Sequence, residues 1–394
     1  MMKYTSKLIM ASGLALVIGT SCAPPDDAPD VEMNNGDDWE TLEIRTQYEA
    51  IQVERLAELE NPWSIAFLPD GNYLVTERPG RLQLLDSEGN LTEISGVPEV
   101  QATGQGGMLE VSLHPDFEDN QFVYLTYSKP NDGDETATAL ARGKLEGNEL
   151  VDVEDIFIQD RYSGPGRHYG SRLAWTNDGY LLMSIGDRGA DPPRAQDNMD
   201  HAGTLLRLND DGSVPDDNPF VGDDSALDEI YSYGHRNIQG LVVNPETDEI
   251  WATEHGPRGG DELNYIEPGV NYGWPTATLG YDYRTEKKYD FTEARRVEGM
   301  EDPFYEFLPT LAPSGLALVT QDRFEAWQGN LLAGGLRAER IRRVVYNHEE
   351  VLHEEELLLQ EIGRIRDVRE APDGNIYVLT DHEDGGVYRI SPGE

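Results

Sequence analysis

Charged residues set among glycines and prolines are the part of this sequence best suited to chemistry. The densest run extends over residues 234–275 and holds the motifs Gly234-His235-Arg236-Asn237, Glu254-His255-Gly256-Pro257 and Asn271-Tyr272-Gly273-Trp274-Pro275. Glycine and proline predict tight loops, whose backbone can approach a ligand closely and present carbonyl oxygens to it. We therefore expect a ligand site built on loops that connect strands.

Five shorter segments of the same character lie elsewhere, at residues 104–107, 167–173, 186–189, 335–337 and 363–368. They supply His168 in a glycine-rich loop and several arginines, a residue that holds carboxylates through paired hydrogen bonds. Arginines that converge on one pocket of an acidic chain predict a small polyanionic ligand. Oxygen donors near acidic residues favour calcium over zinc as a metal.

These segments must be positioned by a sequence repeat that occurs six times in the chain. Each copy is a turn containing Pro, Asp, Gly or Asn, followed by an apolar, strand-like run, and the copies begin at Pro69, His114, Asn177, Asn244, Gln328 and Pro372. Their spacing of roughly forty to eighty residues fits four-stranded propeller blades, some with insertions. The sequence therefore predicts an all-β fold, a six-bladed β-propeller whose loops converge on a common mouth.

Composition excludes one class of partner. The chain has 394 residues, with 75 acidic against 31 basic residues and a net charge of -44. Nucleic acid is excluded because phosphate binding needs clustered lysine and arginine. Such an acidic surface suits high salt, where screening relieves self-repulsion, so we interpret it as halophilic adaptation. The alternative is an ordinary acidic secreted protein.

The N-terminus predicts export. Lys3 and Lys7 precede a short apolar run, residues 8–18. The only cysteine, Cys22, follows shortly after this run. This pattern is typical of an export signal over residues 1–22 and is too short to span a bilayer comfortably. Cys22 resembles a bacterial lipoprotein processing site, which predicts a periplasmic or envelope-anchored protein; otherwise it ends a discarded signal. Residues 23–49 have the composition of a disordered acidic tether, and residues 50–394 form the predicted propeller.

The ordered motifs resemble the soluble quinoprotein glucose/sorbosone dehydrogenases and, among them, the aldose sugar dehydrogenases. The resemblance extends over roughly residues 50 to 392. Besides the motifs of residues 234–275, it rests on Gln105-Gly106-Gly107, on His168 with Arg172-Leu173, on Gly186-Asp187 and on Arg364-Ile365-Arg366-Asp367-Val368.

This resemblance implies a propeller that binds pyrroloquinoline quinone (PQQ) and calcium and oxidises an aldose. His168 matches the family's general base, and Asp187 matches the acidic residue that orients it. Gln105, Arg236 and Asn237 match cofactor contacts, with Arg236 near the quinone oxygens. The electron acceptor is unidentified, and the chain is expected to be a monomer or a homodimer.

Further positions are implied in the same way. Arg364 and Arg366 match the pair that holds the cofactor carboxylates. The carbonyl groups of Gly256 and Pro257 match ligands of the cofactor's calcium. Arg337 stands where the glucose dehydrogenase pattern has a cofactor-binding lysine; it keeps the charge of lysine but not its geometry.

A second, structural calcium site is implied by Glu262 and the carbonyl group of Tyr272.

Two other functions stay open beside the dehydrogenase. A calcium-dependent propeller hydrolase such as a lactonase would use metal-bound water and no quinone, and a noncatalytic propeller would serve as a binding module. His168 and the pair Arg364 and Arg366 favour the dehydrogenase, since a lactonase needs no arginines for cofactor carboxylates and a binding module needs no base.

Overall fold

The computed structural model describes residues 41–393, apart from residue 165. The predicted export signal, the lipid site at Cys22 and most of the predicted tether lie outside these residues. No helix within the described range is long and apolar enough to cross a membrane.

Nearly all regular structure is β-strand. The described range begins with β1 (Leu42–Arg45) and β2 (Ala50–Leu59) and continues with five four-stranded sheets. The first two sheets contain β3 (Pro62–Phe67), β4 (Tyr73–Glu77), β5 (Arg81–Leu85) and β6 (Leu91–Ile94), then β7 (Met108–Leu113), β8 (Phe122–Pro130), β9 (Thr136–Glu146) and β10 (Glu149–Ile158). The third and fourth contain β11 (Leu173–Trp175), β12 (Leu181–Ile185), β13 (Thr204–Leu208) and β14 (Ile230–Tyr233), then β15 (Ile238–Val243), β16 (Ile250–Glu254), β17 (Glu262–Ile266) and β18 (Tyr305–Glu306).

The last two sheets complete the ring. The fifth contains β19 (Pro313–Leu318), β20 (Leu331–Gly335), β21 (Arg340–Tyr346) and β22 (Val351–Leu357), and the sixth joins β23 (Ile365–Glu370), β24 (Ile376–Thr380) and β25 (Gly385–Pro392) to β2 and β1. Among the described residues, helical structure is limited to α1 (Phe117–Asn120) and two 3-10 turns, Pro192–Gln196 and Asp322–Trp327. Each sheet is one blade, so the six-bladed propeller predicted from the sequence is confirmed.

The sequence repeat occupies the same position in every blade. Its apolar run forms the second strand of the blade, and these strands are β4, β8, β12, β16, β20 and β24. In the later blades these strands are buried along their whole length, because neighbouring blades cover both faces. Continuous apolar runs, rather than alternating ones, are what such two-sided burial requires.

The first and last strands of the described range build the sixth blade. Strand β2 pairs with β25, from Ile51 opposite Pro392 to Leu59 opposite Gly385, which closes the ring. Strand β1 pairs with β2, so the prediction of a tether reaching residue 49 is wrong for residues 42–45. The polar composition of the segment concealed an alternating pattern in which Leu42 and Ile44 pack against the core while their neighbours face solvent.

The blades meet at a buried cluster of charges on the axis. Arg172, which precedes β11, is 1% exposed. Its guanidinium donates to Glu110 of the second blade and Asp367 of the sixth, each at 2.8 Å. It also donates to the carbonyl groups of Gln239 and Arg366 at 2.7 and 3.0 Å. One side chain thus connects four blades.

A second arginine and an aromatic ring complete this axial cluster. Arg369 donates to Glu110 and, at 3.1 Å, to Asp367. The guanidinium of Arg172 also lies over the ring of Trp63 in the first blade, 4.1 Å from its centroid.

We expect Arg172→Met to lower the free energy of unfolding by about 3–5 kcal/mol, because it leaves the buried carboxylates of Glu110 and Asp367 with Arg369 as their only remaining arginine partner.

Urea unfolding at fixed salt measures this loss. The matched control is Arg389→Met, which removes a half-exposed arginine paired with Glu54 at 2.5 Å, and it should cost less than about 1 kcal/mol. A loss for Arg172→Met no larger than that of the control would contradict the proposed importance of the axial cluster.

A buried histidine links the second and third blades. The ring of His201 lies between Asp160 at 2.8 Å and Glu229 at 2.7 Å. Burial opposes protonation, but these two carboxylates outweigh it and raise the pKa of His201 from 6.5 to about 9. The protonated ring therefore stabilises the folded state.

This pKa sets the pH range of the effect. Since the folded-state pKa is the higher one, we expect the stabilisation to be complete below pH 6.5 and to be lost as the pH rises to about 9. The loss is about 1.4 kcal/mol per pH unit within that window. Urea unfolding at several pH values measures it, and His201→Gln should flatten the profile between these limits. An unchanged profile in the variant would contradict the assignment.

Candidate active site

The predicted site residues lie at one end of the propeller. Because neighbouring strands are antiparallel, the second strand of each blade ends where the first strand begins, and we call this end the mouth face. Two cavities open there, of about 700 Å³ and 440 Å³. Gln105, Asn237 and His255 line both cavities, so the two adjoin.

His168 lines the larger cavity and is held from both sides. Its backbone has φ +53°, a left-handed conformation unusual for a residue other than glycine. Its backbone N–H donates to the side-chain oxygen of Gln105 at 2.8 Å. The imidazole Nδ1 lies 2.6 Å from Asp187 Oδ1, which assigns the proton to Nδ1 and leaves Nε2 unprotonated.

Asp187 is a buried carboxylate whose two oxygen atoms both accept hydrogen bonds. Besides His168, it accepts from the backbone N–H of Gly189 at 2.7 Å and from the indole N–H of Trp274 at 2.8 Å. Burial alone would raise the pKa of Asp187, but His168, Arg236 and the indole outweigh it and hold that pKa below its usual value. The carboxylate therefore stays charged and fixes the orientation of the imidazole.

Arg236 reaches the other side of His168. Its Nη2 lies 3.4 Å from His168 Nε2, and its Nη1 donates to the carbonyl group of His255 at 3.2 Å. Burial and the nearby Arg236 lower the pKa of His168, although Asp187 acts in the opposite direction. The imidazole is therefore neutral at pH 7 and able to accept a proton. The Nε of Arg236 is buried without a hydrogen-bond partner among the described residues.

Close backbone packing fixes these positions. The side chain of Asn237 accepts from the N–H of Gly170 at 3.0 Å. A Cβ atom on Gly186 would lie 2.2 Å from the carbonyl oxygen of His168, so only glycine fits the strand end beside the base. The glycines of the motif thus let two loops of the third blade touch.

Arg364 and Arg366 line the smaller cavity and share one carboxylate. Asp381 accepts from Arg364 at 2.9 Å and lies 3.0 Å from Arg366. Although burial acts in the opposite direction, both arginines lower the pKa of Asp381. Two guanidinium groups with one carboxylate leave a net positive charge, and the Nε of Arg366 is buried without a partner in the described range.

The carbonyl groups of Gly256 and Pro257 are available as ligands. Both residues are buried, and within residues 41–393 no donor is directed at either carbonyl oxygen. Asp261 does not compete for a metal here, because it accepts from the backbone N–H groups of Gly256, Leu311 and Ala312. This part of the site presents oxygen atoms without hydrogen bonds, as a calcium ion requires.

Glu262 lies beside a second acid. It pairs across the sheet with Glu254, and burial together with that neighbouring carboxylate raises the pKa of Glu262 well above its usual value. His235 lies 3.6 Å from Glu254 and stacks on the ring of Tyr272 at 4.6 Å, so the predicted residues Glu262 and Tyr272 belong to one cluster. Among the described residues no three acidic, histidine or cysteine side chains form a metal site, so a cation here would also need carbonyl oxygens.

Arg337 does not join the site. Its side chain is exposed, and the adjacent Leu336 lines the smaller cavity in its place. The prediction that Arg337 replaces the family lysine is therefore not supported by its position. The reason is strand geometry: consecutive side chains at a strand end point in opposite directions, so a shift of one residue decides which one faces the cavity.

Several cavity residues were not predicted. His255, Asp381 and Arg78 directly follow second strands, and this shared register is a signal that would have identified them. Trp274 donates its indole N–H to Asp187, and its ring lies 5.3 Å from the guanidinium of Arg236. Other aromatic residues of the larger cavity come from the long connection between β17 and β18, where no local pattern marked them: Tyr283, Tyr289 and Phe291.

Comparisons with known proteins agree with this architecture. The soluble aldose sugar dehydrogenase of Escherichia coli, in its apo form, has a structure that matches with a TM-score of 0.84 at 39% identity, covering 87% of this chain and 100% of that one. The PQQ-bound aldose sugar dehydrogenase of Streptomyces coelicolor matches with a TM-score of 0.71 at 28% identity, covering 87% and 98%. These likenesses define the class of the protein as a propeller oxidoreductase.

Sequence comparison identifies the family. The Glucose / Sorbosone dehydrogenase profile matches residues 59–389. Aldose sugar dehydrogenase YliI of Escherichia coli (strain K12) is 40% identical over 347 residues, which cover 87% of this chain and 93% of the relative. The chain therefore belongs to the glucose/sorbosone dehydrogenase family.

The electrostatics of His168 can be tested without any ligand. We expect NMR titration to give His168 a pKa below 6.5. Arg236→Gln should raise this pKa because it removes a nearby cation, and Asp187→Asn should lower it because it removes the stabilising carboxylate. His201 serves as the internal control and should titrate above 6.5 in all three proteins. A His168 pKa above 6.5 in the unaltered protein would contradict its assignment as a neutral base.

Proposed function

We propose that the protein oxidises an aldose at the anomeric carbon to the lactone, with PQQ and calcium bound at the mouth face. The observation that carries the proposal is the neutral His168 imidazole, whose Nδ1 is 2.6 Å from Asp187 and whose Nε2 adjoins Arg236 in a cavity of about 700 Å³. An oriented imidazole with an unprotonated nitrogen facing the cavity is the arrangement that general-base catalysis requires.

The proton of the anomeric hydroxyl goes to His168 Nε2. As the ring becomes positively charged, Asp187 stabilises it through the bond at Nδ1, and the indole of Trp274 keeps Asp187 in place. Arg236 lies next to Nε2 and stabilises negative charge that develops on oxygen atoms in the cavity. The stacked rings of Tyr289 and Phe291, 4.9 Å apart, provide an apolar wall against which a sugar ring can pack.

The residues of the smaller cavity fit PQQ. This cofactor is a planar tricarboxylate, and when bound it supplies the acceptor for the two electrons and the hydrogen that leave the anomeric carbon. Arg364 and Arg366 would hold its carboxylates. The Nε of Arg366 is buried without a hydrogen-bond partner among the described residues, which is costly unless a ligand supplies one. Gln105 and Asn237, which line both cavities, would contact the cofactor from the side of His168.

Calcium fits the buried oxygen atoms near the cofactor. The carbonyl groups of Gly256 and Pro257 would bind one ion, and its charge would complement that of the cofactor. Glu262, whose carboxyl is buried beside Glu254, would bind a second, structural ion together with the carbonyl group of Tyr272. Neutralising two adjacent carboxylates is the benefit that such an ion would bring.

We propose an extracytoplasmic location. The support is the sequence of residues 1–22, with its two lysines, short apolar run and terminal Cys22. The excess of 75 acidic over 31 basic residues suits a saline medium outside the cell. An electron acceptor of the envelope would then reoxidise the cofactor.

Reconstitution tests the proposed function. Purified protein freed of metal is supplied with PQQ, with calcium, with both or with neither, and dye reduction is followed with a series of aldoses. We expect activity only with both additions. His168→Gln should lower kcat by about 10²- to 10⁴-fold, the usual loss of a general base, while PQQ affinity measured by fluorescence stays close to that of the unaltered protein.

Two results would contradict the proposal. Absence of PQQ binding in the presence of calcium would favour the hydrolase or the binding module. Full activity of His168→Gln would exclude His168 as the base, even if the protein oxidises aldoses.

A further inference from the structure

Arginines without an acidic partner are concentrated at the mouth face. Most arginines of this acidic chain form ion pairs, as those of the axial cluster do. Within residues 41–393 the arginines that form no ion pair are Arg45, Arg78, Arg167, Arg188, Arg236, Arg284, Arg323 and Arg337. All of these except Arg45 and Arg323 lie on or beside the mouth face. In a chain of net charge -44, cations that stay unpaired there form a local region of positive charge.

Two of these arginines line the cavity that contains His168. Arg167 directly precedes the base, and one of its guanidinium nitrogens donates to the carbonyl group of Gly189 at 2.7 Å. Arg284 belongs to the long connection between β17 and β18, and its guanidinium forms no hydrogen bond or ion pair with any described residue. Both side chains are exposed to the cavity's solvent, so their remaining N–H groups are free to bind a ligand.

The acidic residues of the same cavity already accept hydrogen bonds from neighbouring protein groups. Asp187 accepts from His168, Gly189 and Trp274. Asp282, the other acid in the cavity wall, uses Oδ1 to accept the backbone N–H groups of Arg284 and Thr285, each at 2.8 Å. These bonds stabilise the turn that carries Arg284. The cavity therefore combines carboxylates that accept hydrogen bonds from the protein with guanidinium groups that remain available to a ligand.

These two arginines are separate from those assigned to the cofactor. Arg364 and Arg366 line the smaller cavity, whereas Arg167 and Arg284 line the larger one, which His168 also lines. A volume of about 700 Å³ is within the range of about 300–1,000 Å³ typical of small-ligand sites. Guanidinium groups in such a site bind carboxylate and phosphate through paired hydrogen bonds.

We propose that the preferred substrate is an anionic aldose, a sugar with a free anomeric centre and a carboxylate or phosphate group, and that Arg167 and Arg284 bind this group. The proposal rests on the proposed function of the same cavity. It assigns to Arg167 and Arg284 a role in substrate selection, while His168 accepts the proton as before.

Paired substrates test the proposal. For the reconstituted protein, kcat/KM is measured at one ionic strength for glucuronate against glucose, galacturonate against galactose, and glucose 6-phosphate against glucose. We expect the anionic member to be favoured, and Arg284→Gln and Arg167→Gln each to reduce that preference about tenfold, mainly through KM; this equals about 1.4 kcal/mol. The uronate and phosphate arms decide which anionic group the arginines recognise.

The matched control is Arg323→Gln. Arg323 is also an exposed arginine without an ion pair among the described residues, but it lies in the 3-10 turn Asp322–Trp327, at the opposite end of the fifth blade. Its removal changes the net charge by the same amount and should leave the anion preference unchanged. An equal loss in all three variants would overturn the proposal, because it would show a general effect of net charge.

Binding measurements separate this proposal from the proposed function. Calorimetric titration of the cofactor-free protein with glucuronate and with glucose needs no catalysis. Tighter binding of glucuronate that Arg284→Gln abolishes would support the anion site even if no aldose is oxidised. Equal kcat/KM and equal affinity for both members of each pair would overturn it, and so would a loss of PQQ affinity in Arg284→Gln with the substrate preference intact.

Discussion

The buried ion cluster on the propeller axis is the interaction on which the other features depend. Arg172 joins the second, third, fourth and sixth blades and packs on Trp63 of the first. Two of its partners are backbone carbonyl groups, those of Gln239 and Arg366. Burying so much charge is costly unless every partner is present, so the cluster forms only when the blades are assembled in one arrangement.

That arrangement also positions the two cavities relative to each other. The side chain of Gln239 donates to the carbonyl group of Gly170 at 2.8 Å and accepts from Arg366 at 3.3 Å. The loop of the base and the loop of the arginine pair are therefore tied to one residue, whose own backbone is held by Arg172. Through these bonds the axial cluster determines where His168 and Arg366 lie, and its ring Trp63 also lines the smaller cavity.

Burial gives neighbouring groups opposite protonation states within a few ångströms. His168, close to Arg236, is neutral, whereas Asp187, with three donors, stays charged. His255, partly buried on the wall between the cavities, has a pKa lowered to about 4 chiefly by desolvation and is neutral as well. None of this follows from the net charge of -44, which is a sum over the whole chain and says nothing about individual groups at the mouth face. Local partners decide the charge of each group in the site.

The sequence by itself determined the fold class, because each blade repeats a turn and a continuous apolar run, and both are local signals. It also determined which segments carry His168, Asp187, Arg236 and the pair Arg364 and Arg366, since glycine-rich loops mark strand ends. The strand Leu42–Arg45 escaped prediction because its partner lies beside the last strand of the chain. Only the tertiary structure decided that Leu336 rather than Arg337 faces the smaller cavity, and that His255, Asp381 and Arg284 line the cavities. Those outcomes depend on side-chain direction and on contacts between distant blades, which exist only once the ring has closed.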